Sequence, residues 1–206
     1  MRRGLLAAAV AALAVVWLGP LEGLLPHFTA HMTRHIVVVA VAAPLIALGI
    51  AGTRVDPAVR HPAARAAVVA SLVELVVIWI WHAPTAHDFA RESTLGGALE
   101  QASFLIAALW LWVAALGGDA AQRRARATGS VTALLLTAMH MTLLGALLVI
   151  APRPLYPHPR LCGALDPLTD QHIGGAIMLL GGGAAYLAAG LGLTADVLGS
   201  GRRRAA

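Results

Sequence analysis

Long apolar runs alternate with short polar breaks along the whole chain. Each apolar run approaches the roughly 20 residues that an α-helix needs to cross about 30 Å of hydrocarbon. The breaks hold proline, glycine, arginine and aspartate, which are typical of helix ends. The predicted spans are residues 5–18, 31–50, 66–81, 95–116, 128–150 and 172–193. The pattern therefore predicts an all-α fold, a polytopic membrane helix bundle of about six transmembrane helices.

The composition indicates that this chain has the bilayer as its solvent. Hydrophobic residues make up 59% of the 206 residues and charged residues 12%, about half the charged fraction of a soluble domain. The sequence has no Gly/Ser linker, repeat or low-complexity tail, so we expect one integral-membrane domain over residues 1–206. The segment from Met1 to Pro20 resembles a signal peptide but lacks a small-x-small cleavage site, which favours an uncleaved first span.

Arginine is distributed unequally between the two sides of the predicted spans. The side that contains both termini has eleven: Arg2, Arg3, Arg54, Arg60, Arg65, Arg123, Arg124, Arg126, Arg202, Arg203 and Arg204. The other side has four: Arg34, Arg91, Arg153 and Arg160. Because positively charged loops stay in the cytoplasm, we expect both termini to be cytoplasmic. Most arginines flank apolar runs in short loops, so we expect no nucleic-acid partner.

The histidines are concentrated on the opposite, outer side. Seven of the nine lie in outer loops or at outer span ends: His27, His31, His35, His82, His87, His158 and His172. The orientation follows from arginine alone, so the clustering of histidine is an independent observation. It suggests metal or proton chemistry at the outer face. We expect His27, His87 and His158 to be ordinary interfacial residues, and His61, in a basic loop, to be structural.

Several histidines and methionines have the character of metal ligands. His31 and His35 are four residues apart and share one helix face, which lets two imidazoles reach one ion. Cys162 is the only cysteine, so a disulfide or thiolate cluster within the chain is excluded. Imidazole with thioether suits copper, Cu(I) above all. The predicted metal ligands are His31, His35, His82, His140, His172, Met32, Met139 and Met141.

Four further polar residues lie within the spans or at the start of the last one. Ionisable groups inside a membrane cost free energy and are usually kept for function. Glu74 and Glu100, with Asp170 and Gln171, are predicted to hydrogen-bond to ligating histidines or to relay protons. A structural role in place of metal binding also remains open, in which the histidines of spans two and five only hydrogen-bond to helix ends or to a neighbouring backbone.

Five motifs occur in an order that resembles a known family. They are His31–Met32–Thr33–Arg34–His35 with Ala43–Pro44–Leu45; Trp81–His82–Ala83–Pro84 with Asp88 and Ala90; Leu99–Glu100 with Ser103–Phe104–Leu105; Gly145 through Pro152–Arg153–Pro154–Leu155–Tyr156–Pro157; and Asp170–Gln171–His172–Ile173–Gly174–Gly175–Ala176–Ile177–Met178. Over residues 27–193 the chain resembles the CtaG-type, multi-spanning cytochrome c oxidase assembly proteins associated with caa-type oxidases.

The resemblance implies a role in maturing cytochrome c oxidase in a bacterial inner membrane. It implies that copper is bound and delivered from the periplasmic face, without enzymatic catalysis. The implied partners are membrane lipid, an oxidase subunit and a periplasmic copper donor. The family pattern also leads us to expect histidine near positions 97 and 101, where this chain has Gly97 and Gln101.

Three other functions remain open at this stage. A membrane haem protein would need two axial histidines at matching depth, and a Soret band would reveal it. A metal-free scaffold would hold an oxidase subunit and bind neither copper nor haem. A copper importer would need polar or methionine residues through the inner half of the bilayer, where Glu74 and His140 are the deepest.

Overall fold

The structure is a computed structural model that describes residues 1–61, 65–156 and 165–205, with side chains to Gly199. The predictions made for His158 and Cys162 lie outside these residues. The described elements are helices: α1 (Arg2–Leu18), α2 (Leu21–Leu24), α3 (His27–Ile50), α4 (Pro57–Arg60), α5 (Ala67–Trp81), α6 (Pro84–Glu92), α7 (Thr94–Leu116), α8 (Ala120–Ala125), α9 (Ala127–Ile150) and α10 (Pro167–Ile177, Met178–Gly182 and Gly183–Ala205).

Four of the described helices, α3, α7, α9 and α10, are long and apolar enough to cross a membrane. Helices α5 and α6 meet this criterion only as a pair, bent by 74° at their junction, which brings the total to five. Helix α1 has 17 residues and is about 26 Å long, slightly less than the hydrocarbon thickness. The predicted class, a helical membrane bundle, is therefore confirmed with four to five candidate spans in the described part of the chain.

The long helices pack around a common core. Helix α9 contacts α5 and α10, α5 contacts α7, and α3 contacts α7 and α10, while α1 lies against the second half of α3. Helices α9 and α10 approach closely at Gly145, where an added Cβ would lie 2.6 Å from the Leu179 nitrogen and 2.8 Å from the Gly175 oxygen. These contacts are backbone atoms, so only glycine permits this helix separation.

The bundle has two chemically different ends. The histidine end contains the beginnings of α3, α7 and α10 and the corner between α5 and α6. The arginine end contains the α3–α4 loop, the α7–α8 loop and the beginning of α9. Between the two ends, the core contains many alanines, and Ala43, Ala47, Ala108 and Ala114 are fully buried.

Helices α3 and α10 each contain a π-helical segment, at Val37–Ala42 and Met178–Gly182 respectively. The two segments contact one another in the middle of the bundle. A π-helical turn accommodates one residue more than an α-helical turn and is frequent near functional sites.

Candidate metal centre

The first turns of α3 carry two buried histidines into the bundle. His31 and His35 face inward and are essentially inaccessible to solvent. The start of α3 is held by α10, because the Asp170 carboxylate accepts hydrogen bonds from the backbone nitrogens of Phe28 and Thr29, each at 2.8 Å. It also accepts one from the Thr29 hydroxyl at 2.6 Å. A carboxylate at a helix N-terminus is favoured by the helix dipole, so Asp170 fixes the position of the histidine pair.

The corner between α5 and α6 supplies two further histidines. His82 follows the last residue of α5, and Pro84 begins α6, which turns back so that His87 becomes buried. The His82 Nδ1 atom lies 2.7 Å from the Ile78 carbonyl oxygen. Because a carbonyl oxygen only accepts, Nδ1 must donate, and the lone pair is therefore on Nε2. This is the tautomer in which the inward-facing nitrogen of His82 can bind a metal ion.

The four imidazoles form a continuous group. The ring centre of His31 lies 4.8 Å from that of His87 and 5.7 Å from that of His82. The ring centre of His82 in turn lies 5.4 Å from that of His35. We call these four residues the histidine cluster. The structure thus brings together three of the predicted ligands and adds His87, which the sequence analysis had assigned to the interface.

Glu100 of α7 provides the carboxylate of the site. The side chain is fully buried, and its Oε2 atom lies 3.8 Å from His31 Nδ1. The same oxygen accepts hydrogen bonds from the Arg91 guanidinium and, at 3.1 Å, from the Gln101 amide. The other oxygen, Oε1, has no hydrogen-bond partner among the described residues.

His31, His87 and Glu100 each offer a ligand atom, and these three atoms lie within 4.8 Å of one another. In a tetrahedral site with metal–nitrogen distances of about 2.0 Å, neighbouring ligand atoms are about 3.3 Å apart. Small rotations of the side chains would bring the three atoms to that separation. The residues present therefore fit an imidazole-rich metal site.

Unsatisfied nitrogens distinguish this group from an ordinary polar core. Both ring nitrogens of His31 and of His35, and Nε2 of His82, are buried without a hydrogen-bond partner in the described part of the chain. A buried polar atom without a partner costs about 1–3 kcal/mol, and native proteins keep few of them. Neutral imidazoles in this state have lone pairs available for a soft or borderline cation.

Aromatic side chains separate the cluster from its surroundings. Phe104 packs on His35 with ring centres 4.4 Å apart, and Tyr156 stacks on Phe28 at 4.5 Å. The Tyr156 hydroxyl donates to the His82 carbonyl oxygen at 2.7 Å. Burial, with a smaller contribution from the charge of Asp88, raises the pKa of Tyr156, so its hydroxyl stays protonated and keeps this bond.

A groove at the histidine end borders the site. It has a volume of about 770 Å³, and its walls include Glu22, Arg34, Arg91, Gly97 and Gln101. The two positions at which the family resemblance led us to expect histidine thus line this groove. Gln101 also accepts a hydrogen bond from the Trp17 indole at 3.0 Å, so it connects α1 to Glu100.

The remaining predicted ligands are in different environments. His140 of α9 is buried, has no hydrogen-bond partner among the described residues and interacts electrostatically with His35. Met32 is buried against Gly174, and Met141 against Gly182. Met139 is 68% exposed on the surface of α9.

His172 lies apart from the histidine cluster. The His172 Nε2 donates to the Ala151 carbonyl oxygen at 3.1 Å, and no ring contact joins it to the cluster in the described residues.

The predicted relay residues are divided between two places. Gln171, next to the capping Asp170, accepts from the Leu155 nitrogen at 2.6 Å and donates to the Leu148 oxygen at 3.2 Å. Glu74 lies two turns below His82 on α5 and accepts a 2.6 Å hydrogen bond from the Tyr186 hydroxyl.

Sequence analysis missed two members of the site, His87 and Arg91. The bend after Pro84 returns α6 to the bundle, so that residues expected in a surface loop are buried. A signal was present, since the positions of His87, Ala90 and Arg91 follow the three- and four-residue spacing of one helix face.

Comparison with known proteins supports the resemblance identified in the motifs. No curated protein and no solved structure matches the chain. The family model described as cytochrome c oxidase caa3 assembly factor (Caa3_CtaG) matches residues 1–199. The chain belongs to this family of cytochrome c oxidase assembly factors.

Proposed function

We propose that this protein binds copper at the histidine cluster and delivers it from the periplasmic face to an oxidase subunit in the bacterial inner membrane. One observation carries the proposal: His31, a buried imidazole whose ring nitrogens have no hydrogen-bond partner in the described part of the chain, can share an ion with His87 and Glu100. A group of this kind costs folding free energy unless something binds to it. For an assembly factor of a copper-containing oxidase, copper is the cargo that this ligand set suits.

Delivery requires that the ion be released as well as bound. The histidine cluster offers several overlapping sets of two or three nitrogens, because His82 and His35 continue the group that begins at His87 and His31. An ion can exchange one imidazole for the next without leaving the protein. Transfer of this kind forms and breaks coordination bonds only, so the protein acts as a carrier and the reaction is not enzymatic.

The proposed topology has six crossings with both termini in the cytoplasm. Helix α1 is the first crossing and the bent pair α5–α6 contributes the third. The arginine end of the bundle then faces the cytoplasm, as the distribution of positive charge favours. The histidine end faces the periplasm, where a copper donor would meet the groove lined by Glu22 and Arg34.

The proposal is tested by copper analysis of the detergent-purified protein after reconstitution with Cu(I). We expect a stoichiometric amount of copper in the wild type and a large loss in a His31→Ala, His87→Ala double variant. His172→Ala is the matched control, because this histidine bonds to a backbone carbonyl outside the cluster, and it should keep its copper. Full copper content in the double variant, or none in the wild type, would contradict the proposal.

A visible spectrum of the same sample tests the alternative functions. A Soret band in protein from haem-sufficient cells would support a bis-histidine haem protein. If the wild type contains neither copper nor haem, the scaffold function is favoured. In cells, loss of oxidase activity in the double variant at normal membrane insertion would connect the site to assembly.

A further inference from the structure

A fixed positive charge lies beside the candidate metal centre. The Arg91 guanidinium donates to Glu100 Oε2, the carboxylate oxygen that is also the closer one to His31. The Arg91 side chain is only 11% exposed, and it acts electrostatically on His31 as well as on Glu100. Arginine stays protonated in proteins, so this charge is present whether or not an ion is bound.

The charge balance of the empty site is therefore already neutral. Glu100 contributes one negative charge, Arg91 one positive charge, and the neutral imidazoles contribute none. Among the other charged residues of the histidine end, Asp170 is committed to the N-terminus of α3 and Asp88 is exposed. Arg34 also acts electrostatically on Glu100, but its guanidinium is paired with the Glu22 carboxylate at 3.3 Å. An incoming cation thus adds its full charge to a buried group of net charge zero.

The cost of that added charge depends strongly on whether the ion is monovalent or divalent. Repulsion by Arg91 is twice as large for a divalent ion at the same place. The cost of removing the ion from water rises with the square of its charge, so a divalent ion also loses more hydration. Imidazole nitrogens would otherwise bind divalent copper and zinc well.

We propose that Arg91 makes the histidine cluster selective for a monovalent soft cation, Cu(I), by partnering Glu100 and opposing divalent ions. This inference rests on the proposed function, namely that the cluster binds a metal. Arg91 is a specificity-determining residue here, because it acts on the ion through charge and contributes no ligand atom.

The test compares affinities for Cu(I) and Zn²⁺ in wild-type, Arg91→Gln and Arg91→Lys proteins, measured by competition with chelators. Gln at position 91 keeps a hydrogen-bond donor for Glu100 but removes the charge, whereas Lys keeps the charge. We expect Arg91→Gln to raise the ratio of Zn²⁺ affinity to Cu(I) affinity about 100-fold. Arg91→Lys should leave this ratio close to that of the wild type.

A second measurement needs no variant and covers the case in which Arg91→Gln does not fold. Ag⁺ and Cd²⁺ have the same d¹⁰ electron count and differ in charge, so the wild type should bind Ag⁺ and reject Cd²⁺. Equal changes in Cu(I) and Zn²⁺ affinity in Arg91→Gln, or preference of the wild type for Cd²⁺, would overturn the selectivity. Failure of the wild type to bind any of the four ions would instead overturn the proposed function.

Discussion

The two ends of the bundle bury polar groups in opposite ways. At the arginine end, Asp56 is fully buried and its carboxylate accepts hydrogen bonds from the backbone nitrogens of Ala58 and Gly52, each at 2.8 Å, and of Gly118 at 2.6 Å. At the histidine end, the imidazoles of His31 and His35 are equally buried and have no hydrogen-bond partner among the described residues. The depth of burial is the same, but only Asp56 has hydrogen-bond partners for its buried side chain.

This difference separates a polar group with a structural role from the histidines of the candidate metal centre. Asp56 joins the α3–α4 loop to the α7–α8 loop, so its removal leaves three backbone donors without this acceptor, two of them buried. The ring nitrogens of His31 and His35 make no hydrogen bond to the described residues, so they are available to a ligand. By burial alone, Asp56 and the two histidines would belong to the same class of residue. Their hydrogen bonds distinguish Asp56 from the histidines.

The largest expected effect is that of Asp56→Ala on stability. Loss of three charge-assisted hydrogen bonds should lower the free energy of unfolding by about 3–5 kcal/mol. Thermal unfolding in detergent measures this. Asp119→Ala is the matched control at the same end, because Asp119 is an exposed helix cap whose loss costs about 1 kcal/mol. Equal melting temperatures for the two variants would contradict the structural role of Asp56.

The opposite sign is expected for His35→Leu. Replacing an unpartnered buried imidazole by an apolar side chain removes a desolvation cost, so stability should stay the same or rise by about 1–2 kcal/mol. Copper binding, measured in the same preparation, should weaken. Ile36→Leu serves as the control for repacking in α3. A loss of stability in His35→Leu as large as that in Asp56→Ala would remove the distinction between the two ends.

Asp170→Asn tests a polar group of the histidine end that does have its hydrogen bonds made. Loss of the negative charge at the N-terminus of α3 should cost about 1–2 kcal/mol. Hydrogen exchange followed by mass spectrometry should show faster exchange in the first turn of α3, at Phe28 and Thr29. If exchange there is unchanged, Asp170 is available for the relay role that the sequence suggested.

The smallest effect is expected from Tyr156→Phe. This change removes the hydroxyl that donates to the His82 carbonyl but keeps the ring stacked on Phe28. A single neutral hydrogen bond contributes about 1 kcal/mol, so both stability and copper affinity should change only slightly. Chelator competition and thermal unfolding measure the two quantities. A loss of copper as complete as that expected without His31 and His87 would mean that Tyr156 belongs to the site itself.

The sequence was sufficient for the class of fold and for the family. Apolar runs separated by proline and arginine predicted a helical membrane bundle, and this is confirmed, as is the resemblance to the assembly-factor family. The first predicted span was less secure for a physical reason. Helix α1 is short, so length and hydropathy alone do not distinguish a crossing from a helix that lies against α3.

The candidate site was harder to predict, because it is made by contacts between helices that are distant in sequence. Periodicity placed His31 and His35 on one face of α3, but it contains no information on which face α6 presents to them. The bend at Pro84 is a tertiary feature, and it is what buries His87. Likewise, Met139 and Met141 are equivalent by composition, while the packing of α9 against α10 buries only Met141.

The π-helical segments have a consequence for the phase of the helices. Inward positions in α3 recur every four residues, at His31, His35, Val39, Ala43 and Ala47, and all five are buried. In a regular α-helix this spacing would drift by about 40° per step and turn the far end of the row toward lipid. The extra residue at Val37–Ala42 takes up about 100° of that drift.

Helix α10 follows the same rule. Its row of Asp170, Gly174, Met178, Gly182 and Tyr186 is also spaced by four and buried throughout, and Met178–Gly182 is its π-helical segment. A repeat longer than 3.6 residues would otherwise require the helices to coil around each other with a right-handed twist. Each helix takes up the mismatch between the four-residue spacing and the α-helical period in one π-helical turn, so the two helices stay side by side. The ends that carry His31 and Asp170 therefore keep these residues on the same buried face as the core of the bundle.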